Sequence, residues 1–393
     1  MKHRMLYTTA AIVLCVALLL TACKPAATPT PQPTAVPTKA PTAVPTVVPT
    51  AVPTAVPTVA PPCLIIGALY GGPINDAGYN QAMHEAVIAI KTNIACVKVI
   101  EAENVPDEAG ATSTMENMIQ QGAKMIFATA FNHQYPALDL SKKYADVIFE
   151  HAGGWEMGAN FANFFGKPPD AWYMMGIAAG KMTTSNKLGF VAAFPLGWTS
   201  TFINAFELGA KSVNPKVQTI VAYTFSWGDR AKEADTTNSL INQGADVITM
   251  HVDSPATIIQ TAEARGAMSI GFQSIESRKL APKGWITGLG FTWGKFMTQV
   301  AQSVIDGAFK PGFVRQGIAE GMMGVAPFGP KVPADVQKLV NDAVASLAKG
   351  FNPFTGPIKD NKGVVRIAQG EAWGGDKMGN FDWFVEGVIG QAK

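Results

Sequence analysis

The feature that most constrains this sequence is a repeat with a spacing of 122 residues. The segment 119–124 (IQQGAK) matches the segment 241–246 (INQGAD). The same spacing pairs two further positions: Gly67 with Gly189, and Pro73 with Pro195. Coincidence at one spacing favours two halves built on one plan over a chance similarity between unrelated segments. We therefore expect two lobes of the same architecture.

Within each half, short apolar runs alternate with stretches of helical spacing. The apolar runs lie at 64–70, 97–101, 124–129, 146–150, 187–193, 217–223, 246–251 and 268–272. This alternation predicts an α/β fold in which βα units build parallel sheets with helices on both faces. A doubly wound lobe binds its ligand outside the carboxyl ends of its strands, so two facing lobes would enclose a cleft.

The predicted lobes are discontinuous in sequence. About 330 residues follow the low-complexity region, more than one core comfortably holds. The run Trp285–Thr292 and the helical pattern after it are predicted to return to the first lobe. Lobe 1 is then 63–183 and 285–312, and lobe 2 is 184–284 and 313–393. Near the end of the chain, Val364–Ile367 after the turn at 360–363 predicts a hairpin.

The chain begins with an export signal, predicted to be residues 1–22. Lys2 and Arg4 precede an apolar stretch, 10–20, that is too short to span a bilayer comfortably. It ends in Leu20–Cys23 (LTAC), which resembles a bacterial lipobox, in which the cysteine is acylated; the alternative is an ordinary secretory signal. Acyl chains on Cys23 would anchor the protein to the membrane from the extracytoplasmic side.

Residues 23–62 form a region rich in proline and threonine. The tetrad AVPT occurs at 35–38, 43–46, 51–54 and 55–58. A proline at every fourth position removes backbone donors and fixes φ, so neither helix nor sheet is expected. We predict a disordered, extended stalk that reaches on the order of 100 Å. Whether its threonines are glycosylated stays open.

Composition and motifs argue against several classes of function. The net charge is +2 with 15% charged residues, and no basic stripe points to nucleic acid. None of the five histidines has the spacing of a metal ligand, and no nucleotide-binding or hydrolase motif stands in its required context. We therefore expect neither an enzyme nor a cofactor.

Two of the four cysteines fall in the predicted folded part. Cys63 and Cys96 each precede an apolar run. If those runs are neighbouring parallel strands, the two sulfur atoms lie side by side, and an oxidising compartment would permit a disulfide. The alternative is two free, half-buried thiols.

From about residue 64 to 390 the sequence resembles the Bmp (basic membrane protein) family of binding lipoproteins. The motifs that carry the resemblance are 71–81 (GGPINDAGYNQ), 176–183 (GIAAGKMT), 187–195 (KLGFVAAFP), 204–214 (NAFELGAKSVN) and 243–248 (QGADVI). It implies the type I periplasmic-binding-protein fold, with two Rossmann-like lobes, a hinge and an interlobe cleft. It also implies the receptor of an ABC importer, with permease and ATPase subunits as partners. We expect a monomer.

The candidate ligand-binding residues follow the predicted strands, where side chains face the cleft. They are Tyr70, Asp76, Tyr79, Phe131, Asn132, Trp198, Trp227, Asp253 and Gln273. Aromatic rings with a few hydrogen-bonding groups suit a flat heteroaromatic ligand. By the repeat, Phe131 is equivalent to Asp253. Ser254 and Pro255 would supply the cap and first residue of the next helix, which leaves Asp253 for the ligand; Asp229 is predicted to cap its own helix.

The family resemblance refines the ligand. Studied members include receptors for purine nucleosides and nucleobases. In the nucleoside receptors an aromatic pair, corresponding to Tyr79 and Trp227, encloses the purine, and an aspartate near Gln273 and a lysine near Phe291 serve the ribose. Since this sequence lacks both charges, we expect a purine-type, adenine-like nucleobase. A purine nucleoside receptor and a sensing lipoprotein that feeds a signalling kinase are the alternatives; sugar and amino-acid ligands are weaker ones.

Overall fold

The computed structural model describes residues 62–105, 107–347, 349–379 and 381–393. The chain divides into a segment Met1–Thr58 and a body Val59–Lys393, and only the body is considered below. The predicted signal, Cys23 and all of the stalk except its last residue lie outside the described residues. None of the helices in the described part has the length and apolar character needed to cross a membrane.

The body alternates strands and helices as the sequence predicts. Its strands are β1 (Leu64–Leu69), β2 (Val97–Ala102), β3 (Met125–Ala128), β4 (Ile148–Ala152), β5 (Phe161–Gly166), β6 (Lys187–Ala192), β7 (Gln218–Tyr223), β8 (Val247–His251), β9 (Met268–Gly271), β10 (Trp285–Phe291), β11 (Phe313–Gln316), β12 (Met323–Val325), β13 (Ile358–Lys359), β14 (Val365–Ile367) and β15 (Val388–Ile389). Its helices are α1 (Tyr79–Asn93), α2 (Glu108–Gln120), α3 (Gln134–Lys143), α4 (Pro168–Met182), α5 (Gly197–Val213), α6 (Arg230–Asn242), α7 (Ala256–Ala264), α8 (Gly294–Ile305) and α9 (Ala334–Leu347).

The strands form two large sheets. The first has the order β11-β5-β4-β3-β1-β2, and all its pairings are parallel. The second has the order β12-β10-β9-β8-β6-β7-β15 and is parallel except where β12 pairs with β10. The order of the five consecutive strands in each sheet is the same, which confirms two lobes of one architecture.

The repeat extends to the packing of individual side chains. In each sheet a glycine of the central strand packs against an isoleucine of the next strand and a helix residue: Gly67 with Ile126 and Met118, Gly189 with Ile248 and Leu240. A methyl group on either glycine would lie 2.6 Å from the isoleucine Cδ1. Asp107 and Asp229 cap α2 and α6 at the same spacing. The 122-residue spacing therefore reflects the same contacts between strand and helix in both lobes. The predicted cap at Asp229 is confirmed.

The chain crosses between the sheets at different points from those predicted. Strand β10 lies in the second sheet, not with the first lobe, and β11 lies in the first sheet beside β5. Helix α4 lies within 63–183, the range predicted for the first lobe, but it packs on α5 and β10 beside the second sheet. Within 285–312, which was also predicted for the first lobe, only α8 packs there, against α1. The indole of Trp285 fills the space left by Gly271, which fixes β10 beside β9. Apolar periodicity does not encode that choice of neighbour.

The structure contains a disulfide between Cys63 and Cys96, with the two Cα atoms 5.4 Å apart. Strands β1 and β2 are parallel neighbours in which Leu64 pairs with Val97, so the residues just before them lie side by side. The Cys63 N–H also donates to the Cys96 carbonyl at 3.1 Å. The disulfide fastens the start of the body to the adjacent strand.

The C-terminal part covers the edge of the second sheet. Strands β13 and β14 form the expected antiparallel hairpin, with Gly363 at a φ of 85° in the turn. Strand β15 then pairs with β7, the outermost strand of the repeated unit. The buried Asn204 of α5 holds this part in place, because its side chain donates to the Trp383 carbonyl and accepts from the Val385 N–H.

Candidate functional site

The carboxyl ends of the two sheets meet at the start of α1. The backbone N–H of Tyr79 donates to the carbonyl of Asp253 at 3.0 Å, which joins the loop after β1 to the loop after β8. A methyl group on Gly78 would lie 2.0 Å from that carbonyl oxygen and 2.4 Å from Cδ of Pro255. A residue without a side chain is therefore required for this approach of the two lobes.

Tyr79 anchors one end of an aromatic wall. Its ring centroid lies 6.4 Å from that of Phe165, 6.3 Å from Phe291 and 5.7 Å from Trp293. Its hydroxyl donates to the carbonyl of Thr129 at 2.6 Å. The ring is therefore fixed in position by packing and by a hydrogen bond to the first sheet.

The wall continues along the ends of the second sheet. Phe291 contacts Phe272, Phe272 contacts His251, and His251 contacts Trp227, at centroid distances of 5.6, 5.7 and 5.5 Å. Trp227 is half-buried, and its carbonyl accepts from the Asp253 N–H at 2.8 Å. The backbone of Asp253 is thus hydrogen bonded to both Tyr79 and Trp227, the two residues predicted to enclose a ring.

Asp253 presents a carboxylate to this site. Its carboxylate accepts no hydrogen bond from any described residue, although its backbone carbonyl accepts from Tyr79. Burial, together with the nearby carboxylates of Asp76 and Glu233, raises the pKa of Asp253 to about 7. An unpaired carboxyl between two aromatic residues can accept a hydrogen bond from a ligand N–H.

Gln273 combines burial with an unfavourable backbone conformation. It is 3% exposed, and its φ of 81° lies in the left-handed region that residues with side chains seldom occupy. Its side-chain N–H donates to the Val252 carbonyl at 3.0 Å, while Oε1 is buried without a partner among the described atoms. A strained residue with an unpaired acceptor at the ends of the strands remains a candidate for ligand contact.

Two of the predicted residues have structural roles instead. Both carboxylate oxygens of Asp76 are occupied, because Oδ1 accepts from the N–H groups of Gly78 and Gln81 and Oδ2 accepts from the backbone and side chain of Asn80. Asp76 therefore caps α1 and has little capacity left for a ligand. Tyr70 is fully buried, and its hydroxyl donates to Glu101 at 2.7 Å. These bonds give both residues a role in the fold, and their predicted ligand contacts stay predictions.

Phe131 and Asn132 lie in a short 3-10 turn after β3. This turn directs Phe131 outward, where it is 60% exposed and contacts Trp155 at 5.7 Å. Phe131 is equivalent to Asp253 in chain position but not in surroundings, because the chain after β8 has no such turn. Trp198, in the first turn of α5, contacts Phe202 at a ring-centroid distance of 5.5 Å, and Phe202 in turn contacts His251. Trp198 is therefore separated from the wall by Phe202.

The predicted cap at Ser254 is also wrong. Helix α7 begins at Ala256, Pro255 stands at its cap position, and no side chain caps its first N–H groups. The carbonyl of Pro255 instead accepts from Ile259 as the first helical bond. The carboxylate of Asp253 is not a cap either, because no side chain binds the first N–H groups of α7.

Several residues of the site were not predicted. Phe165, Phe272, His251 and Trp293 contribute to the wall, and each stands at or beside a strand end, the same signal that located Tyr79. Arg315 of β11 donates to the Gly154 carbonyl, and burial lowers its pKa to about 10. Arg315 was missed because residues 313–393 were predicted to lie in the second lobe, whereas β11 lies in the first sheet.

Two largely parallel sheets that meet at an aromatic wall have the architecture of a two-lobed solute-binding receptor. The chain belongs to the Bmp family: residues 64–352 match the family model described as ABC transporter substrate-binding protein PnrA-like. The resemblance seen in the sequence is thereby confirmed. Proteins of this family are extracytoplasmic binding receptors of ABC transporters, not enzymes.

Individual relatives agree with this assignment. The chain is 35% identical over 330 residues to a purine-binding protein of Brucella abortus, covering 83% of this chain and 93% of the relative. It is 30% identical over 282 residues to a putative ABC transporter glucose-binding protein of Haloferax volcanii, covering 69% of each. A solute-binding protein from Aeropyrum pernix K1 shares the fold, with a TM-score of 0.63 and 18% identity over 76% of this chain and 93% of that one.

Proposed function

We propose that this receptor binds a purine-type nucleobase, adenine-like, between its two lobes. The observation that carries the proposal is the arrangement around Asp253, whose backbone bonds to both Tyr79 and Trp227 while its carboxylate has no partner. Aromatic rings hold a flat ligand by stacking, which contributes about 1–3 kcal/mol per base. Unpaired acceptors then select the edge of the base that carries N–H groups. The similarity to a purine-binding protein supports the same ligand class.

A base without its sugar is favoured by the surroundings of Gln273 and Phe291. The family resemblance leads us to expect a carboxylate and an ammonium group there for a ribose. Here the Gln273 amide binds a backbone carbonyl, and the Phe291 ring stacks on Trp293 at 4.0 Å with 9° between the ring planes. Neither position offers a charge to a diol. A purine nucleoside is the alternative ligand.

The location and partners complete the proposal. Acyl chains on Cys23 anchor the receptor, the stalk of residues 23–62 separates the body from the membrane, and the monomer delivers its ligand to the permease and ATPase subunits of an importer. Ligand binding drives this cycle to the extent that the closed form binds more tightly than the open one. The alternative role, sensing for a signalling kinase, would use the same binding step.

The test is a thermal-shift and calorimetry screen of the full-length protein in detergent. Adenine, other purine bases, their nucleosides, glucose and amino acids are compared at equal concentrations. We expect stabilisation by purine bases and weaker effects from nucleosides. Stabilisation by nucleosides alone would show that the ligand is a nucleoside rather than a base. Stabilisation by glucose alone would contradict the proposal of a purine site.

A further inference from the structure

His251 is a buried imidazole at the end of β8, within the aromatic wall. The rings of Phe202, Trp227 and Phe272 surround it at centroid distances of 4.8, 5.5 and 5.7 Å. Burial lowers the pKa of His251 to about 3, so the ring is neutral at physiological pH. A neutral imidazole has one nitrogen that donates a hydrogen bond and one that accepts, and its neighbours decide which is which.

The hydroxyl of Thr199 decides the tautomer of this ring. Thr199 is fully buried in the first turn of α5, and its Oγ1 lies 3.2 Å from Nδ1 of His251. Among the described residues, this nitrogen is the one hydrogen-bond partner of the hydroxyl. If Nδ1 donated the hydrogen bond, the hydroxyl hydrogen would be buried without an acceptor, which is costly. The hydroxyl therefore donates to Nδ1, and the hydrogen of the imidazole lies on Nε2.

The Nε2–H group of His251 reaches the open side of the wall. Nε2 has no hydrogen-bond partner among the described residues, yet it is not sealed from solvent as the unpaired polar atoms of the core are, and 7% of His251 is exposed. The indole N–H of Trp293, by contrast, is sealed within the wall. Arg315 donates to the backbone carbonyls of Val314 and Gly154. His251 thus presents a donor that the fold leaves unused.

Asp253 places an acceptor beside this donor. It follows His251 by two positions, so the two Cα atoms lie within about 7 Å of each other. Both residues also contact Trp227, since the ring of His251 lies 5.5 Å from the indole and the Asp253 N–H donates to the Trp227 carbonyl at 2.8 Å. A flat ligand stacked on Trp227 therefore meets a donor and an acceptor at the end of the same strand.

We propose that His251, held as the Nε2–H tautomer by Thr199, donates a hydrogen bond to a ring nitrogen of the bound purine. A ring nitrogen without a hydrogen carries its lone pair in the plane of the base, where a donor at the edge reaches it while Trp227 covers the face. His251 is then a specificity-determining residue, and Thr199 is a positioning residue that acts through it. This inference rests on the proposed binding of a purine base and adds the requirement for an acceptor nitrogen at a fixed place in the ring.

The first test combines changes in the ligand with a change in the protein. Calorimetry on the full-length protein compares adenine with 1-deaza-, 3-deaza- and 7-deazaadenine, in each of which a C–H group replaces one ring nitrogen. We expect one analogue to bind at least about tenfold more weakly than adenine. This penalty should vanish in His251→Phe, which keeps an aromatic ring in the wall and removes the donor.

His84→Phe is the matched control, because the His84 imidazole contacts Tyr70 and Glu101 instead of the wall, and this variant should keep the penalty. An equal penalty in the wild type and in a folded His251→Phe protein, or no penalty for any analogue, would overturn the inference while leaving the purine site intact. Absence of binding by every purine would overturn the proposed function and the inference with it.

The second test reads the tautomer without any ligand. Nitrogen-15 NMR distinguishes the protonated from the unprotonated nitrogen of a neutral imidazole, and we expect the hydrogen of His251 on Nε2 in the free protein. Thr199→Val removes the hydroxyl and keeps the branched shape of the side chain, so this variant should populate both tautomers and bind adenine more weakly than the wild type. A hydrogen on Nδ1 of His251 in the wild type would overturn both the role of Thr199 and the donor at Nε2.

Discussion

At the scale of single residues, two aspartates near α1 show how surroundings decide a role. Asp76 and Asp253 both carry a raised pKa, chiefly because the surrounding protein removes water from their carboxyl groups. Asp76 accepts four hydrogen bonds from Gly78 and the first turn of α1, whereas Asp253 accepts none through its side chain. Strand-end position predicted a ligand contact for both, and only the pattern of nearby N–H groups separates them. That pattern depends on backbone geometry after β1, which composition does not reveal.

Trp227 provides the first residue-level prediction. Replacing it with alanine removes the ring that closes one end of the wall, and stacking is worth about 1–3 kcal/mol. We expect Trp227→Ala to weaken the affinity for adenine at least tenfold, as measured by titration calorimetry. Trp155→Ala is the control, since that ring is 52% exposed and contacts Phe131 and Tyr135 instead. Unchanged affinity in the Trp227 variant would remove this residue from the site.

A second residue-level prediction concerns pH. The pKa of Asp253, raised to about 7, leaves its carboxyl half-protonated at neutral pH. Only the ionised form accepts freely from an amino group, so adenine affinity should rise between about pH 6 and about pH 8. Calorimetry across that range should show a flat profile in Asp253→Asn. Because Glu233 has a pKa raised to about 7 by burial, Glu233→Gln serves to separate the two titrations; a wild-type profile without slope would contradict the assignment.

At the scale of elements, most strands and their repeat were predictable, whereas β5, β11, β15 and the crossings between the lobes were not. Periodicity identifies a buried strand such as β10, because all seven of its residues are buried. It cannot say which neighbour covers that strand. The neighbour is decided by shape, here the Trp285 indole in the space beside Gly271. Phe165 was missed because no strand was predicted over 161–166, where β5 lies. The ligand contacts of Tyr79 and Trp227 stay predictions.

The loop before α1 gives a prediction about closure. A methyl group on Gly78 would overlap the Asp253 carbonyl oxygen, 2.0 Å away. Gly78→Ala should therefore block the approach of the two lobes, and we expect a more extended particle in small-angle scattering and at least tenfold weaker adenine binding. Gly312→Ala, whose methyl would lie 3.7 Å from Val314, should behave as the wild type. Normal binding and compactness in Gly78→Ala would mean that the loop shifts to accommodate the methyl group and that closure does not require a glycine.

The disulfide gives a prediction about stability. It closes a loop between residues separated by 33 positions, and constraint of the unfolded chain over such a loop is worth about 3–4 kcal/mol. The double variant Cys63→Ser and Cys96→Ser should lower the melting temperature measured by calorimetry. Ligand affinity at a temperature where both proteins are folded should not change, because the disulfide lies at the opposite end of β1 from the site. A large loss of affinity would mean that the disulfide also affects the binding site at the other end of β1.

At the scale of the whole molecule, buried carboxyl groups predict how stability depends on pH. Burial raises the pKa of Glu150 to about 8, and that of Glu207 to about 7. Glu233 and Asp253 have a pKa raised to about 7 as well. Burial lowers the pKa of His133, His151 and His251, which opposes this effect below the ordinary histidine pKa of about 6.5. Above that pH the carboxyl groups dominate, so the free energy of unfolding should fall as pH rises from about 7 to about 8. Denaturant titrations at several pH values measure this, and rising stability over that range would contradict it.

The contact between Tyr79 and Asp253 has a consequence for how such receptors diversify. It is made by main-chain atoms and beside a glycine, whereas the candidate ligand contacts are side chains at the strand ends. Mutations can then alter the preferred cargo without disturbing the movement that the transporter recognises. Copies of the gene could acquire new nutrients through a few substitutions at the strand ends. The same separation would let an engineer retune the body as a biosensor while keeping its signal of closure.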